Sequence, residues 1–575
     1  MKKRPDFYKG MDISFLPQYL DAGMRIKDLD GTETEPFSLM EKYGVNAVRL
    51  RIWHTPENVP ESGGYCSLAH TIALAKEIKK HGMQFMLDFH YSDFWADPGQ
   101  QRKPKAWEGL DHEQLQDAVF QYTKDTLLGL QEEGLLPDIV QIGNEIRSGL
   151  LFPDGELPDY EGMVRLVNAG VRGARSVADS SRMQVMIHLD QGGRYFYLKE
   201  WFDGALRAGL MDFDLIGLSY YPFWHGTYTD LKETMERLVE EYRRPIMIVE
   251  SAYAWRKCEK GFIDEAQERI AGFPASPQGQ RRVLELVNGI TASLPERMGM
   301  GVFYWEPLCQ PREDSGGWDA NMGLLDENGQ VMEGIHAFSF TREGFDPSAW
   351  AKVYEPQSLT VHTGTPAALP EEVSVLLADG SLLRKKVRWQ EEGAVSFPQP
   401  GCYTVSGWVE EKEIPVSVTI QVTERSFQGE NLLQDEGWEE GMVRWQTESS
   451  GEHVAAQLCP EFEEPFPAPP VNVLRVEGNR NFTFRISQQV RIEEAGIYCL
   501  QAQLQGTDTT GVNVSLFAET EEGKKTLLIH PTEHGYTGFA LGDLRLEAGT
   551  VRVGVEIAAS PMYVLMKKIS FVRIS

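Results

Sequence analysis

Residues 137–149 read P-D-I-V-Q-I-G-N-E-I-R-S-G and carry a pattern that recurs through the first half of the chain. The segment 138–142 is short, apolar and β-branched, which predicts a buried strand. The strand must stop where Gly143 is followed by the polar Asn144 and Glu145. Barrels of eight strand-helix units keep their catalytic groups at such C-terminal strand ends. Glu145 is therefore a candidate catalytic carboxylate, the alternative being a glutamate that caps or pairs with the next loop.

A second stretch, P-I-M-I-V-E-S-A-Y at residues 245–253, also predicts an apolar strand that ends in one glutamate, Glu250. The two glutamates are 105 positions apart (250 minus 145), which leaves room for two strand-helix units between them. A retaining glycosidase needs a proton donor and a nucleophile about 5 Å apart, on opposite sides of the glycosidic bond. Glu145 and Glu250 suit these two roles.

Residues 7 to about 340 alternate between strand and helix patterns, which predicts an α/β fold of the (β/α)8 TIM-barrel type for a catalytic domain of residues 1–345. The eight candidate strands are residues 8–13, 46–52, 84–90, 138–144, 184–189, 215–220, 246–250 and 301–305. The rival is a doubly wound open sheet. It is less favoured because no G-x-G-x-x-G motif follows the first candidate strand.

Polar and aromatic side chains cluster at the ends of these strands. Arg49 and Arg51 share one face of the second strand, because strand side chains alternate. Any one such residue could be structural, as a core ring or an ion-pair partner. With six of eight strand ends of this kind, a single sugar-binding site is the better interpretation. The candidate binding residues are Arg51, His90, Asp93, Trp95, Asn144, Tyr220, Trp224 and Trp305.

The tryptophans of the barrel region outnumber what one sugar subsite requires, so we expect several to line an open cleft and cleavage to be internal. They are Trp53, Trp95, Trp107, Trp224, Trp255, Trp305 and Trp318.

Beyond residue 345 the chain changes to short strands and turns, which predicts two all-β sandwich domains. Residues 346–425 fit a small sandwich and residues 426–575 a jelly roll or similar sandwich. A sandwich that holds the polymer would present exposed aromatic rings. The candidates are Trp438, Trp445, Phe482, Tyr536 and Tyr563, with the sandwich core as the alternative location of each.

The composition limits the partners and the compartment. With 56 basic and 85 acidic residues the net charge is −29, which disfavours nucleic acid and anionic membranes as partners. We also expect the protein to be a monomer. The six scattered cysteines form no zinc or redox motif. The basic residues 1–4 precede no apolar run, so no signal peptide is expected. The sequence leaves open whether the protein is cytoplasmic or had a leader that was removed.

Six stretches in order resemble one enzyme family, glycoside hydrolase family 53, over roughly residues 5–340. They are K-G-M-D-I-S (9–14), G-V-N-A-V-R-L-R-I-W (44–53), L-D-F-H-Y-S-D-F-W-A-D-P-G-Q-Q (87–101), Q-I-G-N-E-I (141–146), L-S-Y-Y-P-F-W-H-G (218–226) and V-E-S-A-Y-A-W (249–255). The family comprises (β/α)8 enzymes of clan A that cleave β-1,4-galactan or type I arabinogalactan.

The resemblance implies a retaining endo-β-1,4-galactanase with Glu145 as acid/base and Glu250 as nucleophile. It also implies that Asn144 contacts the sugar 2-hydroxyl and that Trp305 forms the floor of subsite −1. The polar residues expected around the nucleophile are Arg51, His90 and Tyr220. We expect Tyr220 to donate a hydrogen bond to Glu250. The rivals are a clan A glycosidase for another β-glycan and, less favoured because both glutamates are present, a non-catalytic glycan-binding barrel.

Two further resemblances, and one departure, concern accessory features. Several bacterial members of the family have an acidic calcium loop after the nucleophile strand, but residues 255–265 read W-R-K-C-E-K-G-F-I-D-E, so calcium is in doubt and no cofactor is expected. Residues 363–375, 378–381, 387–389 and 401–407 resemble a bacterial Ig-like domain, whose usual role is that of a spacer. Residues 426–575 resemble, more distantly, the galactan-binding carbohydrate-binding modules of family 61.

Overall fold

The computed structural model describes residues 4–311, 316–356, 359–362, 366–390, 395–396, 401–423, 431–450, 454–461, 471–478, 482–506, 513–529, 531, 536–559 and 562–574. The chain forms two compact units. One comprises Met1–Ala351 with Leu377–Ser381, and the other comprises Lys352–Leu376 with Leu382–Ser575. The boundary expected between residues 425 and 426 lies outside the described residues, and the three domain limits stay predictions.

Ten strands are present in residues 4–311, and eight of them form a closed parallel barrel. They are β1 (Tyr8–Asp12), β2 (Ala47–Ile52), β3 (Gln84–Phe89), β4 (Ile139–Ile142), β5 (Gly149–Leu150), β6 (Gly155–Glu156), β7 (Gln184–Leu189), β8 (Leu215–Ser219), β9 (Ile246–Ser251) and β10 (Gly299–Trp305). The barrel order is β1-β2-β3-β4-β7-β8-β9-β10, closed by pairing of β10 with β1, while β5 and β6 form a small hairpin. All eight predicted strands are present, which confirms the predicted barrel.

Nine helices in the described residues lie between strands of the barrel, and a short tenth helix follows the last strand. They are α1 (Leu16–Asp21), α2 (Pro36–Tyr43), α3 (Leu68–Lys80), α4 (His112–Glu132), α5 (Tyr160–Val177), α6 (Tyr195–Arg207), α7 (Tyr228–Tyr242), α8 (Glu265–Ala271), α9 (Pro277–Ala292) and α10 (Trp318–Asn321). Short 3-10 turns lie at Pro56–Asn58, Pro60–Ser62, Lys105–Trp107, Ile146–Ser148, Pro295–Arg297 and Glu333–Ser339. Local sequence sets several starts; for example, Asp111 and Gln114 form a capping box at the start of α4. No described helix is long and apolar enough to cross a membrane.

The N-terminal half of the barrel interior is an apolar cluster, to which each of the eight strands contributes. Its members are Tyr8, Ala47, Met86, Ile139, Met186, Leu215, Met247, Val249 and Phe303. Glycine makes room for the Phe303 ring, since a Cβ on Gly10 would lie 2.1 Å from it. This packed layer closes the barrel below the polar strand ends.

An irregularity in β9 changes which side chains face the barrel interior. Met247 and Val249 both point inward, as strand alternation requires. The pairing register between β8 and β9 then shifts, from Leu218 opposite Ile248 to Ser219 opposite Glu250. Because a bulge inserts one residue into the alternation, Glu250 also reaches the barrel mouth, directly after an inward-facing valine.

The second unit is all-β, as predicted. Its strands, with the short one that leads into it, are β11 (Trp350–Val353), β12 (Leu359–His362), β13 (Pro366–Ala367), β14 (Glu372–Leu377), β15 (Leu382–Trp389), β16 (Val395–Ser396), β17 (Gly401–Val409), β18 (Ile414–Thr423), β19 (Gln446–Ser450), β20 (Val454–Glu461), β21 (Val471–Gly478), β22 (Phe482–Ile492), β23 (Gly496–Gly506), β24 (Asn513–Thr520), β25 (Gly523–Ile529), β26 (Thr537–Leu546), β27 (Gly549–Ala559) and β28 (Met562–Arg573). Strands β19 to β28 form two five-stranded sheets around one apolar core.

The aromatic residues suggested for glycan binding by this sandwich are mostly internal. Trp438, Trp445 and Phe482 belong to its core, and Tyr563 is only 5% exposed. Tyr536 alone of the five is half-buried. The alternative location, inside the sandwich, is therefore correct for four of the five candidates, because the sandwich needs large rings to fill the space between its sheets.

Candidate active site

Glu145 directly follows Asn144 beyond the end of β4, in a left-handed backbone conformation (φ 46°, ψ 52°). Left-handed geometry is uncommon for a residue other than glycine, and here it turns the chain sharply out of the strand. The hydroxyl of Ser219, at the end of β8, donates a hydrogen bond to Glu145 Oε1 at 2.6 Å. Thus Glu145 is held at the barrel mouth by both its backbone and its carboxylate.

Glu250 lies in β9 and is 6% exposed. Its Oε1 is 2.9 Å from Arg49 Nη1, and its Oε2 accepts a hydrogen bond of 3.1 Å from the Tyr221 hydroxyl. A guanidinium and a phenol on separate oxygens hold this carboxylate in one orientation.

The two carboxylates face each other at the separation expected of a retaining enzyme. A carboxylate oxygen of Glu145 lies within 4.8 Å of one of Glu250. Burial and the neighbouring charge of Glu250 raise the pKa of Glu145 well above its usual range. Burial also raises the pKa of Glu250, to about 7, although Arg49 and Tyr221 oppose the shift. Glu250 is in direct contact with the positive charge of Arg49, which favours its ionised form. When the two carboxylates hold one proton between them, that proton is therefore on Glu145.

Arg49 organises the polar layer beneath the two glutamates. Its guanidinium is 1% exposed and contacts Asp12 Oδ2 at 2.8 Å and Asp88 Oδ2 at 2.8 Å. It also donates to Asn144 Oδ1 at 2.9 Å, while Asn144 Nδ2 donates to the backbone carbonyl of Ala96 at 2.8 Å. These contacts fix the Asn144 side chain beside Glu145.

The arginine in direct contact with the nucleophile is Arg49, whereas the family resemblance implied Arg51 among the polar residues around it. Arg51 instead pairs with Glu306 at 2.6 Å, and its guanidinium lies 4.0 Å from the Phe15 ring centroid and 4.3 Å from that of Trp95. Both arginines point inward, but Arg51 is one inward step nearer the strand end, where Glu306 follows β10. Arg51 thus lies at the same rim with Glu306 rather than Glu250 as its close ion-pair partner, and its role in sugar binding stays a prediction.

A similar correction applies to the tyrosine. The hydrogen bond predicted from Tyr220 to Glu250 is made by Tyr221, while the Tyr220 hydroxyl donates to the carbonyl of Gly226 at 3.0 Å. Ser219 and Tyr221 are two residues apart and face the same side of the chain, so Tyr220 turns away from the barrel mouth.

His90 and Asp93 are buried near the site and organise its walls. His90 Nε2 lies 3.1 Å from Asp88 Oδ2, and its Nδ1 accepts a hydrogen bond from the Ala96 amide at 3.1 Å. Asp93 accepts three hydrogen bonds in the adjoining loops, from Thr55 N, Asn58 Nδ2 and Lys105 N, at 2.8 to 3.0 Å. In the structure, both therefore hold loops in place, and a direct contact with sugar stays a prediction.

Five half-buried rings form a continuous aromatic wall, namely Trp95, Trp305, Trp318, Phe262 and Trp224. Neighbouring ring centroids are 5.8, 4.4, 5.1 and 5.1 Å apart in that order. The wall contains all three predicted tryptophans of the site. Trp53 and Trp107, by contrast, are 0% and 5% exposed and belong to the core.

Three side chains of the site are close enough to share a metal ion, namely Glu145, His188 and Glu250. Both ring nitrogens of His188 already have close partners, because Nδ1 lies 2.8 Å from Gln141 Nε2 and Nε2 lies 2.9 Å from Ser219 Oγ. The trio therefore suits acid-base chemistry better than metal binding. Among the described residues, no other such group occurs.

The family model for glycosyl hydrolase family 53 matches residues 8–338, more than half of the chain. The chain belongs to glycosyl hydrolase family 53. A second model, that of the bacterial Ig-like domain (group 4), matches residues 354–412, within the region predicted to be Ig-like. Together the two matches confirm the predicted order of a glycosidase barrel followed by an Ig-like domain.

This family 53 chain matches several related proteins over most of their length. The arabinogalactan endo-beta-1,4-galactanase A of Emericella nidulans is 35% identical over 55% of this chain and 87% of its own. The arabinogalactan endo-beta-1,4-galactanase of Cellvibrio japonicus is 33% identical over 60% of this chain and 93% of its own. The family 53 catalytic domain of Ignisphaera aggregans is 33% identical, covering 59% of this chain and 97% of its own, with a TM-score of 0.54.

Several residues of the family 53 site were not among those predicted from sequence. They are Arg49, His188, Ser219, Tyr221 and Glu306, of which Arg49 was noted only for its face of the strand. Strand alternation was the available signal for Tyr221, which is two residues beyond the inward-facing Ser219. Glu306 carried the same signal as Glu145, since it directly follows the candidate strand 301–305, but its partner Arg51 lies 255 positions earlier in the chain.

Proposed function

We propose that this family 53 enzyme hydrolyses β-1,4-galactosidic bonds of galactan or type I arabinogalactan internally and with retention of configuration. The observation that carries the proposal is the pair Glu145 and Glu250, with carboxylate oxygens within 4.8 Å. Inverting enzymes hold their carboxyl groups at roughly 6.5–9.5 Å, because a water molecule must fit between them and the sugar. The galactan specificity is supported by the named activities of the related enzymes.

In the first step, ionised Glu250 attacks the anomeric carbon while protonated Glu145 gives its proton to the departing glycosidic oxygen. Arg49 and Tyr221 keep Glu250 oriented toward the sugar. In the second step, Glu145 takes a proton from water, which attacks the anomeric carbon and releases Glu250. Asn144, whose side chain is held by Arg49 and the Ala96 carbonyl, would contact the 2-hydroxyl of the same sugar.

The aromatic wall supports internal cleavage of a polymer. Stacking of pyranose rings on Trp95, Trp305, Trp318 and Trp224 would place several sugar units along the barrel mouth. We propose that these rings form subsites on a cleft open at both ends. Single chains of the enzyme would act on the polysaccharide, without nucleic acid or membrane as partners.

The test is product analysis on β-1,4-galactan, with mannan, xylan and cellulose as comparison substrates. Short galacto-oligosaccharides should appear at the earliest times, and proton NMR should show the β-anomer before mutarotation. Release of galactose alone at early times would show an exo-acting enzyme. An α-anomer formed first would exclude the retaining mechanism, and faster hydrolysis of another glycan would replace galactan as the substrate.

A further inference from the structure

We propose that Ser219, held by His188 and Gln141, is a positioning residue that keeps the acid proton of Glu145 on Oε2. The proposal rests on the acid/base role proposed for Glu145. Four side chains form one hydrogen-bonded row that leads from the polar layer around Arg49 to the carboxylate of Glu145. The row runs from Gln141 on β4 to His188 on β7, Ser219 on β8 and then Glu145.

The orientation of the first member is fixed by two charged neighbours. Gln141 Nε2 lies 2.7 Å from Asp88 Oδ1, and Gln141 Oε1 lies 3.3 Å from Arg49 Nε. An amide turned the other way would place its oxygen against a carboxylate and its nitrogen against a guanidinium. Gln141 therefore presents N–H to its neighbours, and one of these is Nδ1 of His188 at 2.8 Å.

The protonation of His188 follows from that contact. Nδ1 faces the Gln141 amide N–H and, at 3.4 Å, the backbone N–H of Glu145, so it is the acceptor nitrogen. Asn144 Oδ1 also lies 3.1 Å from Nδ1 and has a second lone pair besides the one that Arg49 uses. A hydrogen on Nδ1 would, however, be directed against the N–H of Gln141, which is the shorter contact at 2.8 Å. Burial and the charge of Arg49 lower the pKa of His188 well below its usual range, so the ring is neutral. Its single proton is consequently on Nε2.

The proton on His188 Nε2 also determines the direction of the hydrogen bond between Ser219 and Glu145. His188 Nε2–H donates to Ser219 Oγ at 2.9 Å, and the serine hydroxyl donates to Glu145 Oε1 at 2.6 Å. With Oε1 acting as an acceptor, the protonated acid must carry its hydrogen on Oε2. The same bond persists after the proton has left Oε2 for the glycosidic oxygen, so Glu145 keeps its orientation for the second step.

The opposite tautomer of His188 predicts the opposite geometry. A proton on Nδ1 would make Nε2 an acceptor for the Ser219 hydroxyl, and Glu145 would then donate from Oε1 to the serine. Nitrogen-15 NMR of histidine-labelled full-length protein distinguishes the two, with His188→Gln used to assign the signals. A protonated Nε2 and a bare Nδ1 are expected, and a protonated Nδ1 would overturn the proposal whatever the substrate of the enzyme is.

The kinetic test compares substrates that do and do not need the acid. Ser219→Ala should lower kcat/KM for the polymer about tenfold or more. An aryl glycoside of the same sugar with a good leaving group should react at nearly the wild-type rate in its first step. Ser219→Thr, which keeps the hydroxyl, should restore the polymer rate in large part.

Ser251→Ala is the matched control, because Ser251 is a fully buried serine at the end of β9 whose hydroxyl lacks a hydrogen-bond partner among the described residues. It should leave both rates unchanged. Equal slowing of both substrates in Ser219→Ala would mean that the serine only supports the fold. No slowing of either would show that the Ser219 contact does not position the proton.

Discussion

The barrel interior has two layers, which the same strands contribute. The lower layer is the apolar cluster of Tyr8, Met186 and Phe303 with its neighbours, and the upper layer is the polar group around Arg49 beneath the two glutamates. One inward step, two residues along the strand, leads from Ala47 to Arg49 and from Met86 to Asp88. The same step leads from Met186 to His188 on β7. The lower layer only has to fill space, whereas each group of the upper layer must also find a partner of the right charge or polarity. Specific chemistry is therefore confined to one layer about two residues deep.

The largest effect expected in the upper layer is that of removing the nucleophile. Glu250→Ala should lower kcat on galactan by at least about a thousandfold, because no group remains to form the glycosyl-enzyme intermediate. Added azide should restore part of the activity and yield a glycosyl azide. Full activity in this variant would remove Glu250 from the mechanism.

The next effect is on stability and concerns Arg49. Arg49→Met leaves Asp12, Asp88 and Glu250 without their shared cation in a buried site, which should cost about 3–5 kcal/mol of unfolding free energy. Urea unfolding of the full chain, monitored by tryptophan fluorescence, measures this loss of free energy in the transition that unfolds the barrel. Adding Asp88→Asn should recover part of the loss, because one of the uncompensated charges disappears. A stable Arg49→Met enzyme would show that the upper layer tolerates isolated charges.

The matched substitution in the lower layer should affect stability alone. Met186→Ala removes a fully buried side chain beside Gly217 and should cost about 2–4 kcal/mol through the cavity that it leaves. Because no polar partner is lost, kcat at 25 °C should stay within about twofold of the wild type. A large fall in kcat with little change in stability would mean that the two layers are not separable.

The smallest effect is a shift of the pH profile. Glu250 must be ionised to attack, so kcat/KM should rise with pH through the pKa of Glu250, which burial raises to about 7. The hydrogen bond from Tyr221 lowers that pKa, so Tyr221→Phe should move the acidic limb of the profile to higher pH. Tyr220→Phe is the control and should leave the limb in place. Identical profiles for all three enzymes would count against the Tyr221 contact in solution.

Much of this molecule was predictable from local sequence. Largely apolar runs followed by polar residues predicted all eight barrel strands, because a buried parallel strand is apolar over most of its length and takes up polar side chains mainly toward its C-terminal end. The same reasoning placed Glu145, Glu250 and Asn144 at one rim. The strand-rich texture beyond residue 345 likewise predicted the all-β unit.

Other features depended on the assembled barrel. The bulge in β9 turns Glu250 inward directly after Val249, which simple alternation does not predict. Whether Arg49 or Arg51 pairs with the nucleophile depends on how far along β2 each lies relative to a glutamate two hundred residues away. Sequence spacing fixes the face of a strand on which a side chain lies, whereas its partner is fixed by the register between strands, which only the closed barrel determines.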